Sequence, residues 1–407
     1  MSIRGLPLLL GILSLIGLGF GVGYISYPLL HSAPETNPVS LQETPPAEQK
    51  MNVYWEAWRL LERDFMGRRP EVTQRIYGAI RGMVATYNDP YTYFVEPSRR
   101  EVERDDLRGR FGGIGATIEQ TEAGYLLRPF PDQPAEKAGV RAGDLLLVVD
   151  DQEITAAMPV EDVLALVRGP VGTEVTLVLR RVEGETAQEL TVRIQRVEIE
   201  TPSVEWRLLE EAPDGRVGYL RHTLFTERSA SEMARGLAEL QAQGAQRFIL
   251  DLRGNPGGLV RTALDVASLW LDGDVVYIEQ KANGETNVFR AEAGSPVEDA
   301  PMVVLVDGGT ASASELLAGA LQDNGRAHLV GEKTFGKGSV QLVHELSDQS
   351  SLHVTYAHWY TPKRRPIAAV GLTPDVTVLP GEDALDQALA LLEQIATQEA
   401  RPATAGN

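Results

Sequence analysis

The chain has 407 residues, 43% of them hydrophobic, and a formal net charge of −19. This length exceeds one ordinary domain, and the negative charge argues against nucleic acid or anionic lipid as a partner, because both require basic patches. There is no cysteine, which excludes disulfides, thiol catalysis and thiolate metal sites. No sequence motif indicates a metal or another cofactor.

The N-terminal segment, residues 1–30, predicts a transmembrane anchor. No charged residue lies between Leu6 and Leu30, and this stretch is long enough to cross a bilayer about 30 Å thick. Arg4 precedes it, so the positive-inside bias places the N-terminus in the cytoplasm and the rest of the chain outside the cell membrane. A cleaved signal peptide, giving a secreted or periplasmic protein, is the alternative, although the apolar run is long for a signal peptide.

A linker and two helices come next. Residues 31–50 are rich in Pro, Ser, Thr and Glu and predict a flexible linker. Within residues 51–100, apolar side chains recur at helical spacing from Tyr54 to Phe65 and from Val72 to Tyr87. Two such helices cannot bury both apolar stripes alone. We therefore expect them to pack on a later domain or on a second copy of the chain, as a homodimer.

Residues 101–197 have the period of strands. Leu190, Val192 and Ile194 alternate with polar residues, and one helix, Val160–Arg168, interrupts the strands. Near the start of this region, glycines precede a strand predicted at Ile114–Ile118. Consecutive backbone N–H groups in such a loop can form a concave site for an anion, including the terminal carboxylate of a peptide.

This region resembles a PDZ domain, and the specific part of the likeness is the run Ala138-Gly-Val-Arg-Ala-Gly-Asp144. The resemblance implies that a peptide C-terminus adds as a strand beside Ile114–Ile118. The residues implied in binding the peptide are Gly112, Gly113, Ile114, Gly115 and Ala116. The alternative is a β-rich packing domain with a glycine hairpin.

Residues 198–382 alternate between strands and helices, which predicts an α/β layer structure with a partly parallel sheet. Residues 383–407 comprise a final helix, Ala384–Gln398, with an exposed apolar stripe and a polar tail. Strand Arg247–Leu252 leads into the glycine turn Asp251–Gly258. Glycines at a strand end can direct N–H groups at an anion, as an oxyanion hole requires, but Asn-Pro-Gly-Gly is equally strong turn chemistry.

Ser312 and Ser314 lie where strand Met302–Val306 gives way to a helix, and either serine is a candidate nucleophile or a helix cap. Lys337 is a candidate base because its neighbours in sequence are small or apolar, and a base at neutral pH requires a desolvated lysine. Lys333 follows Glu332 and is typical of a paired surface charge. Gln341 follows on the same face of an extended segment, from which it could orient the lysine.

Four motifs in this order resemble the carboxyl-terminal processing peptidases, also called tail-specific proteases, and the likeness covers about residues 50–395. The motifs are Asp251-Leu-Arg-Gly-Asn-Pro-Gly-Gly258, Thr310-Ala-Ser-Ala-Ser-Glu315, Thr334-Phe-Gly-Lys-Gly-Ser-Val-Gln341 and Tyr360-Thr-Pro-Lys with Gly371-Leu-Thr-Pro-Asp375. The resemblance implies an α+β multidomain fold: an N-terminal helical segment, a PDZ-like β-rich domain, and a mixed α/β catalytic core of the crotonase/Clp-protease type.

The implied activity is that of a serine endopeptidase that recognises protein C-termini through its PDZ domain and forms an acyl-enzyme. By the resemblance, Ser312 is the nucleophile, Lys337 the general base and Gln341 the residue that orients the lysine. The N–H groups of Gly258 and Ala313 form the oxyanion hole. Asp307 stands where the family often has Asn, and we expect this acid to raise the pKa of the lysine.

The domain order predicts that PDZ movement regulates the active site, with Arg168 as the candidate contact to the core.

Two other interpretations compete with the serine–lysine peptidase. A Ser-His-Asp triad would need a partner among scattered histidines, none of which has a triad spacing. A membrane-tethered scaffold that binds C-terminal peptides without cutting them would have no need of Lys337 in an uncharged, glycine-flanked segment.

Overall fold

A computed structural model describes residues 45–399 apart from 185, 211, 213, 214, 298 and 380. The chain separates into two units at Arg75 and Ile76. Within the described range, no helix is both long and apolar enough to span a membrane. The predicted anchor at Leu6–Leu30 lies outside the described residues, so it stays a prediction.

The first unit contains helix α1 (Pro45–Asp64) and the start of helix α2 (Val72–Ala85). Helix α1 includes residues 45–50, which the sequence predicts to be part of a linker. The prolines there are compatible with a helix, because the missing N–H of a proline in the first turn would have no partner in any case. The side chains of Trp55, Leu61 and Phe65 are about half exposed.

The second unit holds the remaining elements, numbered in chain order. The helices are α3 (Pro97–Arg108), α4 (Pro134–Lys137), α5 (Val160–Val167), α6 (Ser229–Ala242), α7 (Val260–Ala267), α8 (Ala313–Asp323) and α9 (Ala384–Glu399). The strands are β1 (Tyr93–Val95), β2 (Arg110–Gly113), β3 (Ala116–Thr121), β4 (Gly124–Pro129), β5 (Asp144–Val149), β6 (Gln152–Glu153), β7 (Glu174–Glu183), β8 (Thr186–Gln195), β9 (Val197–Glu200), β10 (Val204–Leu208), β11 (Val217–His222), β12 (Arg247–Asp251), β13 (Val275–Lys281), β14 (Thr286–Arg290), β15 (Met302–Val306), β16 (His328–Gly331), β17 (Ser339–Glu345), β18 (Ser351–Tyr360) and β19 (Val376–Thr377).

The PDZ-like region is an antiparallel sheet in the order β3-β4-β5-β7-β8, with β6 paired to β5. Alternate residues of these strands pack with the apolar side of α5, including fully buried Val163 and Leu177. Among the described strands, β3 pairs only with β4, so it forms an edge of this sheet. It begins at Ala116 and not at Ile114, because Gly115 has a φ of +73°, outside the extended region.

The α/β core contains a six-stranded sheet in the order β10-β11-β12-β15-β16-β19, parallel from β11 to β19. Helices α6, α7 and α8 cover one face. Helix α9 covers the other, so its apolar stripe, with Leu392 fully buried, packs on the sheet. The prediction that this stripe is exposed was therefore wrong. The α+β multidomain prediction is confirmed.

A second sheet, β1-β18-β13-β14 with β17 also paired to β18, lies beside the first. Helix α3 contacts both the PDZ-like region and the second sheet. Arg99 at its start forms hydrogen bonds of 2.6 and 2.9 Å with the Asp162 carboxylate of α5, and Glu103 lies 3.5 Å from Nε2 of His353 in β18. The predicted PDZ boundary at residue 101 falls within this helix.

Candidate active site

Ser312 occupies a sharp turn between β15 and α8. Its φ and ψ are 58° and −119°, in a region that non-glycine residues rarely adopt. Such strain persists where the surroundings over-determine it, as at many functional sites. The residue is the N-cap of α8 and is 8% exposed, so it is largely shielded from water.

The carboxylate of Glu315, one helical turn into α8, joins the serine loop to the lysine loop. Its Oε2 accepts hydrogen bonds of 2.9 Å from the backbone N–H groups of both Ser312 and Lys337. Its Oε1 accepts one of 2.8 Å from the N–H of Gly336 and another from the hydroxyl of Thr334. The side chain is fully buried. One acid therefore fixes the backbone of both proposed dyad residues.

The glycine turn after β12 packs directly against the serine. A Cβ added to Gly257 would lie 2.7 Å from Cβ of Ser312, so only glycine fits this position, where φ is +104°. The buried side chain of Asn255 holds the turn, since its Oδ1 accepts the Gly257 N–H and its Nδ2 donates to the His222 carbonyl. Its own carbonyl accepts the hydroxyl of Ser314, which explains why Ser314 is fully buried.

The two residues predicted to form the oxyanion hole adjoin Ser312 in different ways: Ala313 follows it in the chain, and Gly258 follows Gly257, which packs against it. Gly258 follows the turn with a φ of +130°, and Ala313 is the first residue of α8. Neither N–H donates a hydrogen bond to any residue in the described part of the chain. The N-terminal end of a helix also carries partial positive charge, which favours an anion there. These two groups have the freedom that an oxyanion hole requires.

Lys337 is half-buried in the loop before β17. Burial lowers the pKa of its ammonium group, while the negative charge of Glu103 acts to raise it. The sequence analysis expected Asp307 to raise the pKa of the lysine, but the acid that does so in the structure is Glu103. Asp307 instead accepts the N–H groups of Gly254 and Gly309, both at 2.9 Å.

The side chains of Ser312 and Lys337 are not hydrogen-bonded to one another in the described structure. Nζ of Lys337 lies 5.5 Å from the centroid of the Tyr91 ring. Gln341 lies in extended strand β17, as predicted, but its Nε2 donates to the backbone carbonyl of Tyr91. Tyr91 therefore contacts both residues. The sequence does not identify Tyr91 as a site residue, because the preceding Asn88-Asp89-Pro90 indicates only the end of a helix.

The predicted peptide-binding residues divide between two elements. Gly112 and Gly113 belong to β2 and pair with Glu198 and Val197 of β9, while Ala116 starts the edge strand β3. Ile114 and Gly115 form the break between the two strands, and the Ile114 carbonyl accepts the N–H of Ala135. The edge strand thus has a glycine-containing turn at its start, as a peptide carboxylate site requires.

Arg168, predicted to contact the core, contacts α3. Its Nη1 lies 2.7 Å from Oδ1 of Asp106, and its guanidinium carbon lies 3.9 Å from the centroid of the Phe111 ring. The guanidinium is mostly buried by these contacts. Because α3 also carries Glu103, Arg168 reaches the core through this helix and not directly.

No histidine contacts Ser312 through a hydrogen bond among the described residues. His222 is fully buried, and its Nε2 lies 2.9 Å from the Leu224 carbonyl. Burial lowers the pKa of His222 to about 4. Within residues 45–399, apart from the positions not described, no group of His, Cys, Asp or Glu side chains could hold a metal ion.

The sequence is similar to the sequences of known peptidases. The model of peptidase family S41 matches residues 216–378, and a PDZ domain model matches residues 129–181. The carboxyl-terminal-processing protease of Picosynechococcus is 38% identical over 79% of this chain and 77% of its own length. The carboxy-terminal processing protease CtpA of Bacillus subtilis is 33% identical over 81% of this chain and 69% of its own. A solved structure of a photosystem II D1 C-terminal processing protease is 31% identical, covering 84% of this chain and 97% of its own, with a TM-score of 0.49.

Proposed function

Because the chain belongs to the carboxyl-terminal-processing protease family and is a serine-type peptidase, we propose that Ser312 and Lys337 are its catalytic dyad. The observation that supports this assignment most directly is a shared hydrogen-bond acceptor. The Oε2 atom of Glu315 accepts the backbone N–H of both residues at 2.9 Å. Two loops that are 25 residues apart (337 − 312) are thereby held together at the N-terminal end of α8, against which the glycine turn after β12 packs.

In the proposed reaction, neutral Lys337 takes the proton of the Ser312 hydroxyl as Oγ attacks the carbonyl carbon of the scissile peptide bond. The N–H groups of Gly258 and Ala313 stabilise the negative charge that develops on the carbonyl oxygen. The tetrahedral intermediate breaks its C–N bond, and the lysine returns the proton to the leaving amine. Water then hydrolyses the acyl-enzyme, with Lys337 again the base.

The lysine must lose its proton for this chemistry, and its surroundings supply opposing influences. Burial lowers the pKa of Lys337, which favours the neutral base, and Glu103 opposes this. Gln341 orients the lysine in the proposed active state. In the described structure, Lys337 lies beside Tyr91 and has no hydrogen bond to the side chain of Ser312. This arrangement corresponds to a resting state. In both states Glu315 holds the backbone N–H groups of the two residues.

Recognition of the substrate is assigned to the PDZ domain. A peptide adds to the edge strand β3, and its terminal carboxylate binds at the turn formed by residues 112–116. Helix α3 couples this event to the active site, since it contacts α5 through Arg99 and Asp162 and carries Glu103 near Lys337. Peptide binding shifts α3 and so moves Glu103 relative to the lysine. Arg168, bound to Asp106, transmits the same movement.

Two further features of the sequence complete the proposal. The apolar segment Leu6–Leu30 anchors the chain in the cell membrane, with the catalytic region outside the cytoplasm. The exposed apolar side chains of the first unit, including Trp55, Leu61 and Phe65, form the contact of a homodimer.

The proposal is tested with an unstructured synthetic peptide that has an apolar last residue, prepared as the free acid and as the C-terminal amide. Wild type should cleave the acid faster, and Ser312→Ala should cleave neither. Equal rates for the two peptides would contradict carboxylate recognition but leave the peptidase intact. Binding of the acid without any cleavage by wild type would favour a non-catalytic PDZ scaffold.

A further inference from the structure

The turn Asp89–Thr92, which joins the N-terminal helices to β1, contacts both the lysine loop and β17. The Tyr91 ring lies beside the Lys337 ammonium, 5.5 Å from Nζ to the ring centroid. The Tyr91 carbonyl accepts a hydrogen bond from Nε2 of Gln341. Through one residue, therefore, a segment far away in sequence touches both Lys337 and Gln341, two of the residues assigned to the reaction.

The turn is fixed to the sheet at the place where Gln341 lies. The Asp89 carboxylate accepts the Tyr91 N–H at 3.1 Å and the Thr92 hydroxyl at 2.6 Å, which closes the turn. The Thr92 hydroxyl in turn accepts the N–H of Thr355 at 3.1 Å. Thr355 is the β18 residue that pairs with Gln341 of β17. The position of the Tyr91 carbonyl is thus tied to the residue whose side chain it binds.

A backbone carbonyl is only an acceptor, whereas a glutamine amide has a donor end and an acceptor end. The contact with Tyr91 therefore selects one orientation of the Gln341 amide, in which the –NH₂ group binds the carbonyl and Oε1 has no hydrogen bond to any described residue. Neutral lysine needs an acceptor for an N–H so that its lone pair can face the serine hydroxyl. On the basis of the proposed function, we propose that Tyr91 is a positioning residue: its carbonyl orients the Gln341 amide and its ring shields Lys337 from water.

The ring acts on the lysine in two opposite ways. An aromatic face attracts a cation and so favours the ammonium form, while coverage by the ring removes water and favours the neutral form. Burial is the largest influence on the pKa of Lys337 and lowers it. Because the ring lies beside the amine and is part of its surroundings, we expect its coverage to outweigh its attraction for the ammonium form. Without it, the lysine gains water and its pKa rises toward the ordinary value.

The first test measures this titration without any substrate. The chain has six lysines, so ¹³C-labelled lysine gives few NMR signals, and loss of one signal in Lys337→Ala assigns that residue. The Lys337 midpoint should rise in Tyr91→Ala and remain at the wild-type value in Tyr91→Phe, which keeps the ring. The charged groups near the lysine, Glu103 and Glu315, are the same in both variants. An unchanged or lower midpoint in Tyr91→Ala would overturn the shielding role.

The second test measures casein cleavage in a double-mutant cycle. Thr92→Val removes the hydroxyl that ties the turn to Thr355 and should lower kcat about 10-fold to 100-fold with little change in KM, because small displacements near reacting groups are costly. In the Gln341→Ala background the same change should have almost no further effect. Equal losses in both backgrounds would overturn the positioning role. Thr86→Val, at an exposed threonine, is the control.

These tests separate failure of the inference from failure of the proposed function. If neither casein nor the synthetic peptide is cleaved by wild type, the proposed function fails, but the NMR comparison still decides whether Tyr91 shields Lys337. If wild type cleaves casein and Tyr91→Ala, Tyr91→Phe and wild type have the same lysine titration and kcat, the peptidase stands and the role of Tyr91 is wrong.

Discussion

The backbone N–H of Lys337 donates a 2.9 Å hydrogen bond to the fully buried carboxylate of Glu315. The same carboxylate oxygen accepts the backbone N–H of Ser312, and the neighbouring oxygen holds the N–H of Gly336. An anion that accepts several N–H groups is a strong, directional link in a buried site. Glu315 therefore positions both loops of the proposed dyad without belonging to it.

Glu315→Gln should weaken both folding and catalysis. The amide places an –NH₂ group among backbone N–H donors, so at least one buried donor loses its acceptor. We expect the free energy of unfolding to fall by about 2–4 kcal/mol, since hydrogen bonds to a charged group contribute about 1.5–3 kcal/mol each. Urea unfolding and casein cleavage measure the two effects.

The matched control is Glu332→Gln, at an exposed acid shortly before the lysine loop. It should retain the stability and activity of wild type. If Glu315→Gln had wild-type kcat at temperatures where it is fully folded, the carboxylate would be unnecessary for holding the loops.

Gly257→Ala should remove activity by displacing the nucleophile. The new Cβ would lie 2.7 Å from Cβ of Ser312, and the positive φ of Gly257 is itself unfavourable for alanine. A distorted oxyanion hole costs about 100-fold to 1,000-fold in kcat. Gly308→Ala lies in the serine loop, where a Cβ meets nothing within 4 Å, and should remain active. Comparable activity of the two variants would contradict the packing of the glycine turn on Ser312.

Glu103→Gln should extend activity to lower pH. The Glu103 charge raises the pKa of Lys337, so its removal lowers that pKa and increases the neutral fraction of the base at any pH on the acid limb. Activity requires the neutral amine and rises with pH, so the acid limb of the kcat/KM profile should move to lower pH. Rates on this limb should increase several-fold.

The control for this profile is Glu101→Gln, an exposed acid on the same helix. Its acid limb should coincide with that of wild type. Movement of the Glu103→Gln limb to higher pH would mean that Glu103 acts through its contact with His353, and that its charge on the lysine is unimportant.

Arg168→Ala should uncouple the PDZ domain from catalysis. It removes the 2.7 Å ion pair with Asp106 and the contact with the Phe111 ring, both of which join the end of α5 to neighbouring elements. The preference of wild type for a free C-terminus over the amide should fall at least several-fold, measured as the ratio of the two kcat/KM values. Arg180→Ala, at an exposed pair on the PDZ sheet, should keep the preference. A full preference in Arg168→Ala would exclude this route.

His222 should make the fold sensitive to acid while playing no part in catalysis. Its pKa in the folded state is about 4 because of burial, compared with an ordinary value of 6.5. Between these pH values the unfolded chain binds the proton and the folded chain does not, so stability falls as the pH decreases from 6.5 to 4. From pH 7 to 5 the loss is about 2 kcal/mol, at about 1.4 kcal/mol per pH unit.

The comparison is urea unfolding of wild type and His222→Gln at both pH values. The glutamine amide can still donate to the Leu224 carbonyl, and it does not titrate. The variant should lose about 2 kcal/mol less than wild type and still cleave casein. Equal losses would assign the acid sensitivity to other groups, and a folded but inactive variant would revive a histidine base.

The sequence predicted the order of the domains and the elements around the site, because local patterns determine them. The strand before Ser312 is continuous and apolar, and the glycine turn is strong local chemistry. The final helix shows the limit of such patterns. The helix is amphipathic whether its apolar stripe is exposed or packed. Only the tertiary structure decides that the stripe packs on the sheet with Leu392 buried.

Tyr91 and Glu103 could not be predicted as neighbours of Lys337. They are more than 200 residues away in the chain, and a turn at Asn88-Asp89-Pro90 signals only the end of a helix. Their proximity depends on β1 and α3 packing against β18, a long-range arrangement. Glu315 was interpreted as part of a helix start, which is correct locally, but its hydrogen bonds to the lysine loop leave no local pattern.

The most direct test of the dyad is casein cleavage by wild type, Ser312→Ala, Lys337→Ala and the exposed-lysine control Lys333→Ala, each verified as folded by circular dichroism. We predict cleavage by wild type and Lys333→Ala and none by the two dyad variants. Cleavage at the wild-type rate by folded Ser312→Ala or Lys337→Ala would contradict the assignment.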